Sequence, residues 1–116
     1  MNRRIRMKPI EKYVQVMENK DFAGLAELFT KDGRICDYCT NTSAQKEYHI
    51  YGQEAINMFF RNKFGFRQYS IAEAEVVNDT QAEFIANFGG YNVMAIATVR
   101  EVDDSGLIKN LTVRPK

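Results

Sequence analysis

The sequence predicts an α+β fold, with helices in the first half and a strand meander in the second. Three observations carry that expectation. Apolar residues recur at helical spacing before residue 65, and turn signals recur at strand-length intervals after it. Six Tyr and eight Phe in 116 residues supply a core large enough for this length. Helices followed by a run of antiparallel hairpins predict helices on one face of a curved sheet.

The elements follow in order. Ile10, Tyr13, Val14 and Met17 fall at i, i+3, i+4 and i+7, one face of a first helix. Pro9 suits its first turn, where a missing N–H costs nothing. Asp21 is the expected N-cap of a second, shorter helix whose apolar face is Phe22, Leu25, Ala26 and Phe29. Gly33 closes it by taking positive φ. Residues 34–39 read as a strand and residues 40–46 as a polar loop. Tyr48 to Tyr51 reads as a short strand ending at Gly52. Gln53 to Phe64 reads as a third helix, with Ile56, Phe59 and Phe60 inward and Gly65 as its stop. Asn78-Asp79, Gly89-Gly90 and the segment Asp103 to Gly106 then mark turns. Between them lie the strands 70–77, 82–88, 92–102 and 107–114. The whole chain, 1–116, is expected to form one domain.

Composition narrows the function classes. Hydrophobic residues make up 45%, charged residues 27%, and the net charge is +1. That is the balance of an ordinary globular protein, with no field to attract a polyanion. Arg3, Arg4, Arg6 and Lys8 form a basic run, but no basic stripe elsewhere supports a nucleic-acid arm. No apolar stretch reaches the roughly 18 residues that cross a bilayer, and no apolar segment follows the basic start as in a secretory leader. No nucleic-acid or membrane partner is expected, and the location implied is cytoplasmic.

Cys36 and Cys39 form a C-x-x-C, which invites a redox or zinc reading. In a strand, three residues span about 10 Å, beyond the reach of a disulfide. A zinc site needs about four ligands, and the chain has one histidine. Both cysteines are expected to act as small, half-buried apolar side chains. No metal or cofactor is expected. His49, in the short strand, reads as exposed, with a catalytic role as the sharper alternative.

The order of elements resembles the NTF2-like superfamily, within it the SnoaL-like and ketosteroid-isomerase-like branch. Glu11 to Tyr38, EKYVQVMENKDFAGLAELFTKDGRICDY, resembles the family's opening: a helix ending in N-x-x-D, a short L-F-x-x-D helix, then a strand carrying an acid. YGQEAINMFF resembles its third helix and SGLIKNLTV its closing hairpin. The resemblance implies a cone of three N-terminal helices packed in a curved, mostly antiparallel sheet. It also implies a tyrosine on the first helix that donates to a developing oxyanion, and an aspartate base on the first strand. Tyr13 and Asp37 stand at those places. The family's second, acidic donor falls at Thr98, a weaker donor, and the proline after the strand aspartate is replaced by Tyr38.

Two readings of each residue stay open. Ile35, Asp37 and Cys39 share one strand face, and Ile35 turns that face inward. A buried Asp37 would have the raised pKa an acid or base needs, or would be tied to backbone N–H groups in the loop after it. Tyr13 is a core tyrosine, or a hydroxyl aimed at a ligand. By strand parity, Phe84, Ala86 and Phe88 share one wall, and Met94, Ile96, Thr98 and Arg100 another. Ala72, Ala74 and Val76 face inward beside them, and Met17, Phe29 and Phe59 come from the helices. Such a lining suits an apolar or aromatic small molecule.

The function these features imply is a cofactor-free enzyme moving a proton beside a carbonyl: an isomerase, cyclase or dehydratase. The catalytic set would be Asp37, Tyr13 and Thr98. The alternative is a non-catalytic domain of the same fold, for ligand binding or protein association. Val93, Ala95, Ala97 and Val99 leave the other face of their strand apolar, which predicts a homodimer.

Overall fold

The computed structural model describes residues 7–39, 47–66, 69–90 and 92–116. The basic run at Arg3, Arg4 and Arg6 and the polar loop 40–46 lie outside the described residues. The order of elements is α1 (Pro9–Glu18), α2 (Phe22–Glu27), β1 (Phe29–Asp37), β2 (Tyr48–Tyr51), α3 (Gln53–Phe66), β3 (Tyr69–Val76), β4 (Gln81–Phe88), β5 (Asn92–Val102) and β6 (Ile108–Pro115). Six strands form one sheet in the order β2-β1-β6-β5-β4-β3. β1 runs parallel to β6, and the other neighbours are antiparallel.

Local chemistry sets the helix starts. Pro9 opens α1, and the Glu11 carboxylate accepts the Lys8 N–H at 2.7 Å. Asp21 caps α2 by accepting the Gly24 N–H at 2.9 Å, as expected. Ile10, Tyr13 and Met17 then bury the face of α1 that their spacing predicts.

Three expectations about the first half are corrected. α2 ends at Glu27, so Phe29 opens β1 instead of closing a helix. The Ile108 N–H donates to Leu28 O at 2.8 Å, and this tertiary ladder outweighs local helix spacing. Gly33 does not cap a helix at positive φ; it lies within β1. Its missing side chain lets the backbone pass the Ile108 carbonyl, which a Cβ would meet at 2.8 Å. α3 runs through Gly65 to Phe66.

Irregular pairing bends the sheet. Register shifts fall between Phe29 and Arg34 in β1, between Ile71 and Glu73 in β3, and at Glu101 in β5. Each extra residue sharpens the local twist, and the sheet curls over the helices. The shift in β3 also changes its parity. Ala74 is half-buried against the core, whereas Ala72 and Val76 are exposed, not inward as expected.

β5 faces the opposite way from its expected parity. Ala95, Ala97 and Val99 are buried on the concave side, while Met94 is 50% exposed. Ile96 and Thr98 are partly exposed on the convex side, and Arg100 is fully on the surface. The reason is volume. Ala82, Ala86, Ala95 and Ala97 are all buried together with Tyr13, Met17, Phe60 and Phe64. Small strand residues leave room for large helix residues in a close-packed interior.

Candidate functional site

The site is built where β1, α3 and β3 meet inside the cone. Alternation along β1 turns Ile35 and Asp37 inward, and both are buried. On α3, Ile56, Phe60, Lys63 and Phe64 fall at i, i+4, i+7 and i+8, one stripe, and all four are buried. A lysine on that stripe must find an anion or aromatic faces. It finds both.

Lys63 Nζ lies 3.6 Å from Asp37 Oδ2, and the residues are only 8% and 5% exposed. Its ammonium also sits 4.1 Å from the ring centre of Tyr69 and 5.4 Å from those of Phe59 and Phe88. Ring quadrupoles stabilise a desolvated cation at such distances. Tyr69 and Phe88 are cross-strand partners in edge contact at 4.9 Å, so strand pairing fixes that wall. The other Asp37 oxygen, Oδ1, accepts the Cys39 N–H at 2.8 Å.

Burial pushes the Asp37 carboxyl above its ordinary value, although Lys63 and the Cys39 N–H pull it down. Burial also raises Tyr13 and Tyr69, and the neighbouring Asp37 charge adds to it in both. Both phenols therefore stay protonated, so each hydroxyl has a proton to donate. The Cys39 thiol is pushed up to about 12 by burial and by Asp37. The arrangement offers one carboxyl group, one ammonium and two neutral phenols in a buried interior.

Tyr13 also faces a second feature. With Val14, Met17, Ile71, Ala74 and Phe84 it lines a shallow, half-open apolar hollow between α1 and the β3–β4 pair. Asp37 does not line this hollow.

The residues named from sequence therefore divide. Tyr13 lies within electrostatic reach of Asp37, whose charge raises its pKa. Met17 and Phe84 line the hollow, and Phe59 and Phe88 surround Lys63. Phe29 is fully buried in the core. Thr98, Met94 and Ile96 are not brought to the site, because β5 turns them to the convex face, where Gln81 Nε2 donates to Thr98 Oγ1 at 3.2 Å. His49 is exposed on β2. Cys36 and Cys39 are free and half-buried, as expected. Lys63 and Tyr69 were not expected. The signal for Lys63 was available: one cation on an otherwise apolar helical stripe, in a chain with an inward aspartate. Among the described residues no cluster of three or more His, Cys, Asp or Glu side chains is placed to hold a metal ion. Among them, too, no helix is long and apolar enough to cross a membrane.

Comparison with solved structures places the fold in a known architecture. A protein from Sphaerobacter thermophilus aligns with a TM-score of 0.66 at 18% identity, covering 96% of this chain and 98% of its own. The fold is the NTF2-like cone. A Mycobacterium tuberculosis protein aligns with a TM-score of 0.63 at 20% identity, over 95% of this chain and 92% of that one. The same mycobacterial protein is also known in complex with estradiol-17beta-hemisuccinate. A phenazine biosynthesis-related protein from Pseudomonas aeruginosa aligns with a TM-score of 0.65 at 18% identity, over 93% of this chain and 79% of that one. No protein-family model and no curated protein sequence matches the chain.

Proposed function

We propose that this single cone domain binds an apolar small molecule and moves a proton beside its carbonyl, with Asp37 as the proton-carrying group. The observation that carries the proposal is the buried Asp37–Lys63 pair among protonated phenols. Perturbed titratable groups gathered in an interior are the usual mark of acid–base chemistry. The ligand enters by the hollow that reaches Tyr13. Tyr13, Tyr69 and the Lys63 ammonium stabilise the developing enolate oxygen, a role that Thr98 is too far round the sheet to fill. No cofactor enters the scheme. The steroid ester held by the mycobacterial neighbour supports a largely apolar ligand in a cone of this kind.

The test is Asp37→Asn, assayed for binding and turnover against a panel of apolar ketones and enones. Folded protein that keeps ligand affinity and loses about a hundredfold or more of turnover supports the proposal. Full turnover in Asp37→Asn removes Asp37 from the chemistry.

One observation favours a second reading. Asp37 Oδ1 is already occupied by a backbone N–H and Oδ2 by an ammonium. A passive binding protein, in which the pair only fixes the interior, needs that arrangement and nothing more. It predicts a panel with bound ligands and no turnover in the unmodified protein.

We also propose that two copies associate through the convex face of β4 and β5, where Ile85 is paired with Met94.

A further inference from the structure

A second set of reactive side chains lies outside the cone, on the convex face of β1 and β2. The alternation that sends Ile35 and Asp37 inward sends Cys36 outward. β1 and β2 pair antiparallel, with Cys36 directly opposite His49. Side chains so opposed start about 5 Å apart at Cβ. Here they meet: Cys36 Sγ is 3.4 Å from His49 Nδ1. The far nitrogen of the ring, Nε2, is 3.5 Å from Glu47 Oε1. Thiol, imidazole and carboxylate thus adjoin in series; strand register places the first two, and Glu47 stands just before β2. Tyr51 stacks on the ring at 6.3 Å and 11°, which restrains its rotation.

The set is reachable. Cys36 is half-buried, and the His49 and Glu47 side chains are 42% and 38% exposed. Cys39 is half-buried too, but its surroundings differ. It lies three residues on, beside Asp37, with no imidazole among its contacts.

We propose that Cys36 is a nucleophilic modification site for low-molecular-weight disulfides, with His49 as its base and Glu47 holding the imidazole. His49 accepts the thiol proton, giving a thiolate beside an imidazolium stabilised by Glu47. The thiolate attacks one sulfur of the disulfide; a new S–S bond to Cys36 forms as the old one breaks. The leaving thiolate takes the proton from His49. Electrons and protons balance, and the disulfide is the only oxidant required.

Other charged and titratable groups face the thiol from each neighbouring strand. Arg34 lies two residues before Cys36 on β1, Tyr38 two residues after it and just past the strand, and Tyr51 adjoins on β2. Thr112 pairs with Cys36 on β6, with Arg114 two residues beyond, stacked at 4.3 Å over Tyr38.

The experiment uses the full chain with oxidised glutathione, following each cysteine separately by peptide mass mapping across pH 5 to 9. Cys36 is expected to form the mixed disulfide about tenfold or more faster than Cys39. His49→Gln is expected to slow Cys36 by about tenfold, to change the pH dependence of its reaction, and to leave Cys39 unchanged. Equal rates at the two cysteines, faster modification of Cys39, or an unaltered Cys36 profile in His49→Gln would each overturn the assignment. Circular dichroism of His49→Gln checks that the fold is intact; if it is lost, Glu47→Gln serves instead, with the same direction expected and a smaller drop.

Discussion

At the residue scale, the Asp37–Lys63 pair dominates. Breaking a buried pair by removing one partner leaves the other charge uncompensated, at a cost of roughly 3–5 kcal/mol. Lys63→Met should therefore destabilise strongly at neutral pH. The sign with pH follows from Asp37. Its folded pKa is raised above its ordinary 3.8, so between those two values the folded state holds more protons than the unfolded state. Stability from this group is full below the unfolded value and is lost as pH rises through the folded one. Removing Lys63 takes away a contact that lowers the Asp37 pKa and steepens this loss. Urea unfolding of Lys63→Met and of the parent at pH 5 and pH 8 checks it: the gap between the two proteins should widen at the higher pH. A gap that stays constant would mean Asp37 does not titrate in that range. Asp37 and Tyr13 were legible because each is a polar residue on an apolar face of its own element. Lys63 was equally legible by spacing, but a lysine in a helix reads by default as solvated. Only the meeting of α3 with β1, a long-range fact, shows otherwise.

At the element scale, the strands were legible as strands and not always in parity. Asn92–Val102 matches its expected bounds, because Gly89-Gly90 and the turn ending at Gly106 delimit it. Its faces were ambiguous because Val93 to Val99 is apolar on both sides. The interior chose the alanines, and that choice removed Thr98, Met94 and Ile96 from the site. The shift in β3 at Ala72 has no mark in the sequence, since an alanine bulge looks like any strand residue. Gly33 and Gly65 make a paired test of how far a glycine is required. A Cβ at Gly33 would meet the Ile108 carbonyl at 2.8 Å and Phe29 Cβ at 3.0 Å, whereas at Gly65 nothing lies within 4 Å. Gly33→Ala is expected to cost about 1–3 kcal/mol by overpacking. Gly65→Ala, in a helix, is expected to be neutral or to stabilise by up to ~1 kcal/mol. Chemical denaturation midpoints of the two variants should move in opposite directions or differ clearly in size. If both are neutral, the β1–β6 approach is looser than described.

At the scale of the whole molecule, the proposed homodimer rests on a different face from the one the sequence suggested. Ala95, Ala97 and Val99 are spent on the core. What remains outward is Met94, opposite Ile85, with Ile96 two residues on along β5. These form an apolar strip on the convex side, edged by the Lys116–Glu83 ion pair at 2.6 Å. A standard interface buries roughly 800 Å² per partner, so the strip would be its centre and the polar edge its rim. β6 separates this strip from β1, so association here leaves Cys36 on the other half of the sheet. The prediction is a dimer at tens of micromolar by sedimentation velocity, and a monomer for Met94→Glu, since an unpaired charge at the centre of an apolar contact is not desolvated cheaply. Met94 is half exposed, so the same substitution should leave the monomer's fold and unfolding midpoint nearly unchanged. A parent protein that sediments as a monomer, or a Met94→Glu protein that stays dimeric, would place any association elsewhere.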